Sequence, residues 1–333
     1  MILAAHGEAE TAGFFENFRV GQRTLAHSAE VMHLPAALRW LICILGALRK
    51  RLANRPGSPH NALTRVQASA LAERLAEVLN EPVSVRVAFA SSDPSVEMLI
   101  AESGSALQRM LISMSPSDSR LSCGLLCHAL QRAASRPEQT RVLARLWDDP
   151  AFAALNADHV RAVCKPRSEG EAPSAAVRSA LLLVFHGTLV QDQSGLAPGF
   201  HNGQAEKSHF AAALHALLAP ASESPWAEVS CAYLNHDVAG RWSEPTVAAA
   251  LEDLHGRGIE RVWVFPCDFL VEGGEIIGSL STTLDTGPIP DTRLLPCLNA
   301  SPALIDYLAR RIKRALDDPQ GQWQCDACPR ASG

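Results

Sequence analysis

Short apolar runs alternate with helical patterns along the whole chain. The strand candidates are rich in β-branched and aromatic residues, and the helix candidates carry their apolar residues on one side. The predicted strands are residues 2–5, 83–90, 111–114, 180–185, 227–233, 262–265 and 293–298. The predicted helices are residues 64–79, 94–103, 123–134, 206–218, 245–256 and 302–316. Strands that alternate with helices at this spacing indicate parallel sheets.

The pattern restarts after a polar linker candidate, Ser168–Pro173. Both halves begin alike, with an apolar strand that ends in a His-Gly pair, at His6 and again at His186. A chain of 333 residues also exceeds the size that a single core usually serves. We therefore expect an α/β fold of two similar doubly wound, Rossmann-like lobes with parallel sheets, facing each other across a cleft. The predicted parts are lobes at 1–167 and 174–317 and a cysteine-containing tail at 318–333.

Composition narrows the class of protein. Hydrophobic residues make up 47% of the chain and charged residues 20%, as in soluble globular proteins. The net charge of −5 argues against a broad nucleic-acid-binding surface. No window approaches the roughly 18 to 20 apolar residues of a membrane span. The first residues lack the basic segment and long apolar run of a signal peptide, so we expect a cytoplasmic location.

An apolar segment at Trp40–Leu48 is followed directly by Arg49, Lys50 and Arg51. It is too short to span a membrane, and its composition indicates an amphipathic helix. Two environments fit such a helix, because it can pack on the protein core or lie at a membrane interface. Peripheral membrane contact therefore stays open, and the sequence does not indicate an oligomeric state.

Carboxylates follow one of the predicted strands. Val262–Phe265 is a β-branched and aromatic run, and Pro266 should end it because proline cannot donate to a sheet ladder. Open α/β sheets bind ligands beyond the carboxyl ends of their strands. Acidic residues at such a position can also serve only as caps of the next helix. The acidic residues that follow this strand are Asp268, Glu272 and Glu275, with a Gly-Gly pair before the last.

His186 also follows a strand end in the same half of the chain. If the two strands are neighbours, His186, Glu272 and Glu275 point into one site. A histidine that faces carboxylates can take up protons or hold a metal. The alternative is that His186 only bonds a nearby backbone group. The case for His6 is weaker, because no acidic motif follows it.

The nine cysteines are more typical of thiols or metal ligands than of disulfides in a cytoplasmic protein. Cys325 and Cys328 form a Cys-x-x-Cys pair in the polar tail, which is half of a metal site. Cys123 and Cys127 stand four residues apart, so that both share one face of a helix.

In order and spacing, these motifs resemble the ferrochelatases, which insert Fe(II) into a porphyrin late in heme synthesis. The similarity runs from about Ile2 to Leu316. His186 matches the histidine of the family's Ser-x-His motif, although the serine is absent. The stretch Pro266–Glu275 is similar to the family's Pro-x-x-Phe-x-x-Asp-x-x-Glu motif, with Glu272 in place of the aspartate. Three further matches are Trp242-Ser-Glu-Pro245, Gly57-Ser58-Pro59 with the following Thr64-x-x-Gln67, and Arg19 after the first phenylalanine cluster.

The resemblance implies a site and its residues. His186 and Glu275 would be catalytic and, together with Glu272, would bind the metal substrate Fe(II). Porphyrin is a flat apolar ring with propionates at its rim, so it needs an apolar slot with a cation beside it. Insertion also displaces two pyrrole protons, and His186 is the candidate base. The residues implied in porphyrin binding are Phe14, Phe15, Phe18, Arg19, Ser58 and Trp242.

Many ferrochelatases carry a [2Fe-2S] cluster, which the resemblance makes a candidate cofactor. Cys325 and Cys328 lie in a comparable C-terminal extension, and Cys123 falls near the family's internal cysteine. Three thiolates do not complete the usual four ligands. A tail that binds no cluster is therefore the alternative.

Departures from the family pattern leave two other functions open. The segment before Trp242 is Tyr233-Leu-Asn235, and the Leu-Pro that follows the family's histidine is replaced here by Thr188-Leu-Val190. These changes suit a non-catalytic or altered tetrapyrrole-binding paralogue that keeps the cleft. A cobalt or nickel chelatase acting on a more acidic precursor would need a dense basic cluster near His186, which the sequence lacks.

Overall fold

Two four-stranded parallel sheets form the centres of two compact units in the computed structural model. The structure describes residues 1–28, 35–53, 56–102, 109–133, 140–164, 177–220, 224–236 and 240–324. The first unit comprises Met1–Arg145, Pro198–Asn202 and Asn299–Gly333. The second unit comprises Leu146–Ala197 and Gly203–Leu298. Within the described residues, no helix has both the length and the apolarity that crossing a membrane requires.

The sheet of the first unit has the strand order β2-β1-β3-β4, and all neighbouring pairs are parallel. Its strands are β1 (Ile2–Ala5), β2 (Arg86–Phe89), β3 (Arg109–Ser113) and β4 (Thr140–Leu143). The helices of this unit, numbered along the whole chain, are α1 (Phe14–Ser28), α2 (Ala36–Leu52), α3 (His60–Leu79), α4 (Val96–Glu102), α5 (Cys123–Ala133) and α10 (Pro302–Asp317).

The main sheet of the second unit has the order β10-β9-β5-β7, again with parallel neighbours. Its strands are β5 (Ser179–His186), β7 (Glu228–Leu234), β9 (Arg261–Phe265) and β10 (Asp291–Leu294). A small antiparallel pair joins β6 (Leu189–Gln191) to β8 (Arg241–Trp242). The helices of this unit are a 3-10 turn at Leu146–Asp148, α6 (Pro150–Val163), α7 (Gln204–Leu218), α8 (Val247–Gly256), a π-helix at Glu275–Leu280 and α9 (Ser281–Asp285).

The two sheets have the same topology. When the strands of each unit are numbered in chain order, both sheets read 2-1-3-4. In each unit the first strand, β1 or β5, is therefore internal and ends in the predicted His-Gly pair. The prediction of two similar Rossmann-like lobes with parallel sheets is confirmed.

The core of the second unit follows from the apolar run in β5. Residues 180–185 of this strand are fully buried, as expected for an internal strand with both faces covered. The strand packs with apolar side chains of β9 and α8, which include Val262, Val264 and Leu251. Ser179 begins the strand, and after this residue the next polar side chain of β5 is His186 at its carboxyl end.

The units do not coincide with the predicted lobes at 1–167 and 174–317. Helix α6 belongs to the second unit, where the ring of Phe152 stacks on Phe210 of α7 at 5.4 Å between centroids. Helix α10 belongs to the first unit, where Asp306 pairs with Arg74 of α3 and Arg311 donates to the carbonyl of Ala144. The predicted linker Ser168–Pro173 lies outside the described residues.

The first residues of the predicted tail, 318–333, also pack on the first unit. The carbonyl of Trp323 accepts a hydrogen bond of 2.8 Å from Ala144, and Arg311 lies over its indole ring at 5.4 Å from the ring centroid. Cys325 and Cys328 lie outside the described residues.

Candidate functional site

Side chains that follow three neighbouring strands meet at one edge of the second sheet. Strand β5 lies between β7 and β9, and its last residue is His186. His236 follows β7 by two residues. After β9 ends at Phe265, the chain passes Asp268 and reaches Glu275 at the start of the π-helix. The carboxyl edge of a parallel sheet thus gathers residues that are far apart in sequence.

Two imidazoles and one carboxylate form the centre of this edge. The Nε2 atom of His186 lies 3.1 Å from Nε2 of His236 and 3.5 Å from Oε1 of Glu275. The Nε2 atom of His236 lies 3.7 Å from the same carboxylate oxygen. All three ligand atoms lie within 4.8 Å of one another, and the side chains are each about one third to a half exposed. Two nitrogens and one oxygen in this arrangement could hold a transition-metal ion.

The other ring nitrogen of His186 settles its tautomer. Nδ1 lies 2.8 Å from the carbonyl oxygen of Gly187, and a carbonyl can only accept, so Nδ1 carries the proton. The neutral ring therefore presents its lone pair at Nε2, toward His236 and Glu275. A backbone carbonyl that fixes the tautomer is the usual partner of a histidine that binds a metal or accepts a proton.

A buried ion pair holds the backbone of His186. The amide of His186 donates to Asp268 at 3.3 Å, and Nζ of Lys207 donates to the carbonyl of His186 at 2.8 Å. Nζ of Lys207 also donates to the hydroxyl of Thr188 at 2.7 Å and lies 3.8 Å from Asp268. Lys207 and Asp268 are 5% and 8% exposed, so their charges are compensated mainly by each other and by these hydrogen bonds.

The pKa values of the two histidines shift in opposite directions. Burial by itself lowers the pKa of His186, but the Glu275 carboxylate acts against it through charge and hydrogen bonding, and the resulting pKa is above the usual value. Burial lowers the pKa of His236, and the neighbouring His186 lowers it further. Desolvation also lowers the pKa of Lys207, an effect that Asp268 opposes.

Aromatic rings flank the two histidines. The ring of Trp242 lies 5.6 Å from the ring of His236, and the ring of Phe269 lies 6.1 Å from that of His186. The predicted site residue Trp242 is therefore next to the site, and it lies in β8, whose partner β6 begins three residues after His186. Polar ligand atoms beside aromatic surfaces suit a ligand that combines an apolar body with a metal-binding centre.

The sequence model of the ferrochelatase family matches residues 1–316 of this chain. The chain belongs to the ferrochelatase family.

Family membership is supported by two curated relatives of modest identity. The ferrochelatase of Acidobacterium capsulatum is 26% identical over 334 aligned residues, which cover 95% of this chain and 94% of the relative. The ferrochelatase of a Synechocystis strain is 26% identical over 310 residues, which cover 87% of this chain and 76% of the relative.

Among solved structures, SirB from Bacillus subtilis with Fe3+ has a similar fold. It is 15% identical, with a TM-score of 0.50, and the match covers 78% of this chain and 92% of SirB. At this identity the similarity concerns the fold alone. The family resemblance expected from the motifs is confirmed, and this member of the ferrochelatase family is a metal chelatase of the class that inserts metal ions into tetrapyrroles.

The structure brings His186 and Glu275 together as predicted, but it gives Glu272 another contact. Oε1 of Glu272 accepts a hydrogen bond of 2.9 Å from the backbone amide of Cys297, which follows β10. Glu272 is not among the three described residues whose ligand atoms cluster. A role of Glu272 in metal binding stays a prediction.

The other predicted porphyrin-binding residues lie in the first unit. Phe14 and Phe18 of α1 stack with 6.0 Å between ring centroids, and Phe15 contacts Phe14 edge to face at 5.4 Å. Arg19 follows on the same helix and is exposed. Ser58 precedes α3, and its amide donates to the carbonyl of Ala9. Their part in porphyrin binding also stays a prediction.

The predicted cluster ligands are only partly described. Cys123 is buried at the start of α5, and its thiol donates to the carbonyl of Ser119 at 3.7 Å. Because Cys325 and Cys328 lie outside the described residues, the predicted [2Fe-2S] cluster stays a prediction.

His236 is the functional candidate that the sequence analysis missed. It follows the predicted strand 227–233 in the same half of the chain as His186. Because ligands bind beyond the carboxyl ends of the strands in open α/β sheets, this position already indicated a site residue. The expected partners of His186 were the carboxylates that follow β9. The register of β5 and β7, which pairs His186 with Leu234, is what places the two rings side by side.

We predict that Gly187→Ala destabilises the second unit. A Cβ at this position would lie 2.3 Å from Oδ1 of Asn235 and 2.8 Å from the carbonyl oxygen of Leu234, so the backbone after His186 would have to move. Overpacking of this kind costs about 1–3 kcal/mol of unfolding free energy. Gly256→Ala is the control, because a Cβ there meets nothing within 4 Å. Equal denaturant midpoints for the two variants would contradict the prediction.

We also predict that Glu275→Gln lowers the pKa of His186 in the metal-free protein. The carboxylate favours the imidazolium, so its loss leaves burial and Lys207 to lower the pKa. A raised pKa stabilises the fold at pH values below about 6.5, the value of the unfolded chain, and this contribution disappears as the pH rises through the folded pKa. The free energy of unfolding of Glu275→Gln should therefore be lower than that of the unchanged protein at pH values below about 6.5.

Titration of the ring resonances by NMR measures this pKa. The control is Glu272→Gln, whose carboxylate bonds the amide of Cys297. A His186 pKa that is unchanged in Glu275→Gln, or that falls equally in both variants, would count against the assignment of Glu275 as its partner.

Proposed function

We propose that this protein inserts Fe(II) into a porphyrin, protoporphyrin IX or coproporphyrin III, as a ferrochelatase of heme biosynthesis. The observation that carries the proposal is the cluster of His186, His236 and Glu275 at the carboxyl edge of the second sheet. Family membership supplies the reaction class, and the cluster supplies groups that can perform it.

The cluster suits a metal that is a substrate. Imidazole nitrogens bind iron and the other late divalent metals well, and one carboxylate adds charge without the strong binding of several thiolates. Three protein ligands leave further coordination positions for the nitrogens of a macrocycle. The partial exposure of all three side chains gives an incoming ion and a porphyrin access to the ligand atoms.

The same cluster contains a proton acceptor. Insertion of a divalent metal releases two pyrrole protons, and a partly exposed base within hydrogen-bond reach can take them one at a time and pass each to solvent. His186 is the proposed base, because its Nδ1–H bond to Gly187 directs the lone pair of Nε2 into the cluster. Glu275 stabilises the imidazolium that would form. The buried contacts of Lys207 and Asp268 keep the backbone of His186 in place.

A second candidate function is tetrapyrrole binding without turnover. It is motivated by the segment Tyr233-Leu-Asn235, which differs from the family pattern. In the structure this segment has structural contacts, since Asn235 donates to the carbonyl of Ser243 at 2.8 Å and the ring of Tyr233 lies 6.1 Å from that of Phe185. These contacts leave His186 and Glu275 in their positions, and we therefore rank the chelatase first.

Anaerobic incubation with Fe(II) and either porphyrin tests the proposal. We expect metalloporphyrin formation by absorbance, and a loss of about 100-fold or more in kcat/KM for His186→Ala, as is typical when a general base is removed. His215→Ala, an exposed histidine of α7, is the control and should keep full activity. Porphyrin binding without metalloporphyrin, with Fe(II), Co(II), Ni(II) and Zn(II) alike, would favour the second candidate.

We predict a different kinetic effect for His236→Ala. If its Nε2 atom is a ligand of the incoming ion, the apparent KM for the metal should rise at least about tenfold, because even the loss of an outer-shell partner costs that much affinity. The KM for porphyrin should change little. Steady-state kinetics with each substrate varied in turn measures both values. An unchanged KM for the metal would show that His236 is not a ligand of the incoming ion.

A further inference from the structure

Ser243 is a buried polar residue of the second unit, at the point where the segments that follow β5, β7 and β8 meet. It comes directly after β8 and is 2% exposed. Its amide donates to the carbonyl of Thr188 at 2.9 Å, and its own carbonyl accepts a hydrogen bond of 2.8 Å from Nδ2 of Asn235. The backbone of Ser243 therefore joins the segment that follows β5 to the segment that follows β7.

The hydroxyl of Ser243 adds two contacts. It accepts a hydrogen bond of 3.2 Å from the amide of Thr188 and donates to Oε1 of Gln204, the first residue of α7, at 2.8 Å. A hydroxyl has one proton and two lone pairs, so these two bonds can form together. Removal of this hydroxyl is costly, because its partners lose a hydrogen bond in a place with little access to water.

Each of the two segments that Ser243 joins is next to one histidine of the metal cluster. Thr188 lies two residues after His186, and Asn235 directly precedes His236. The contacts of Ser243 therefore limit how far apart the backbones of the two histidines can move.

The separation of the ligand atoms is close to the one that a single metal ion requires. Ligand atoms at about 2.0–2.1 Å from a tetrahedral ion lie about 3.3–3.4 Å from one another. The Nε2 atoms of His186 and His236 are 3.1 Å apart, and Oε1 of Glu275 lies 3.5 Å and 3.7 Å from them. The cluster thus has nearly the spacing of an occupied metal site, and contacts that restrain the two strand ends preserve this spacing.

The residues bonded to Ser243 belong to the segments in which this sequence departs from the family pattern. These residues are Thr188 and Asn235, and both bond to the same serine. The hydroxyl of Thr188 also accepts a hydrogen bond of 2.7 Å from Lys207, which in turn donates to the carbonyl of His186. The departures therefore supply polar groups that bond to one another beside the cluster.

We propose that Ser243 is a positioning residue of the metal cluster, which holds His186 and His236 at the separation that one ion requires. The inference rests on the proposed function for the role of that ion as a substrate. What it concerns is the affinity of the cluster for a metal ion, which can be measured without porphyrin.

Titration of the full chain with Co(II), followed by the visible absorption of the bound ion, tests the proposal. We expect Ser243→Ala to raise the Kd for Co(II) about tenfold or more, as is typical when an outer-shell partner of a metal ligand is removed. The matched control is Ser179→Ala, which should leave the Kd unchanged. Ser179 is also buried, and its hydroxyl donates to the carbonyl of Pro225 at the opposite end of β5.

A second variant tests the same link from its other end. Asn235→Ala removes the hydrogen bond to the carbonyl of Ser243, so the Kd for Co(II) should again rise about tenfold. Far-UV circular dichroism confirms that each variant is folded.

A double variant separates positioning from a general loss of stability. If Ser243 acts on the separation of the two histidines, its effect needs both of them. Ser243→Ala combined with His236→Ala should then bind Co(II) about as weakly as His236→Ala alone. A general loss of stability would lower the affinity by the same factor with and without His236.

Three results would each overturn the proposal. They are an unchanged Kd for Co(II) in Ser243→Ala and Asn235→Ala, an equal rise in Ser243→Ala and Ser179→Ala, and an effect of Ser243→Ala that is the same with and without His236. Absence of Co(II) binding by the unchanged protein would overturn it together with the proposed function. Co(II) binding that shows the expected pattern, without insertion of any metal into a porphyrin, would contradict the proposed function alone.

Discussion

The buried pair of Lys207 and Asp268 is the interaction on which the site depends. Residues 180–185 of β5 are all apolar, so no side chain just before His186 in the strand can hold its backbone where the sheet ends. Lys207 from α7 binds the carbonyl of this residue, and Asp268 from the segment after β9 binds its amide. Both charges come from elements that follow β5 in the chain, and each compensates the other where water is excluded. The position of the imidazole is therefore a property of the assembled second unit.

This arrangement explains why a histidine is suited to the end of a buried strand. The strand contributes rigidity through the parallel pairing of residues 180–186 with β7, and Lys207 and Asp268 hold the carbonyl and the amide of His186. Glu275 is supplied separately, by a π-helix that starts directly after a Gly-Gly pair. Such π-helices are rare and often occur at functional sites, and this one places the Glu275 carboxylate 3.5 Å from Nε2 of His186. Strand β5 and the π-helix thus bring His186 and Glu275 close enough to bind one metal ion.

The sequence revealed those parts of the fold that rest on local patterns. Strand β5 was predicted from its apolar run, and the strand, helix and His-Gly order of the two halves predicted two similar lobes. Strand β4 was missed, and its polar residue Arg141 uses its guanidinium in a distant contact, with the carbonyl of Ala315 in α10. Helix α6 was missed although Asp149 caps it and Pro150 begins it, a signal that was present in the sequence. The return of α10 to the first unit depends on contacts such as that of Arg311 with Ala144, 167 residues away, which no local pattern contains.

The placement of α10 has a consequence for the order in which the chain folds during synthesis. The first unit comprises the first 145 residues and also the segment from Asn299 onward, so its last helix leaves the ribosome only after the whole second unit has been made. Until then Arg74 of α3 lacks Asp306, and the carbonyl of Ala144 lacks Arg311. The half of the protein that is translated first is thus the half that is completed last. A nascent chain would carry the complete second sheet, with His186 and His236 at its edge, while the first unit still lacked α10.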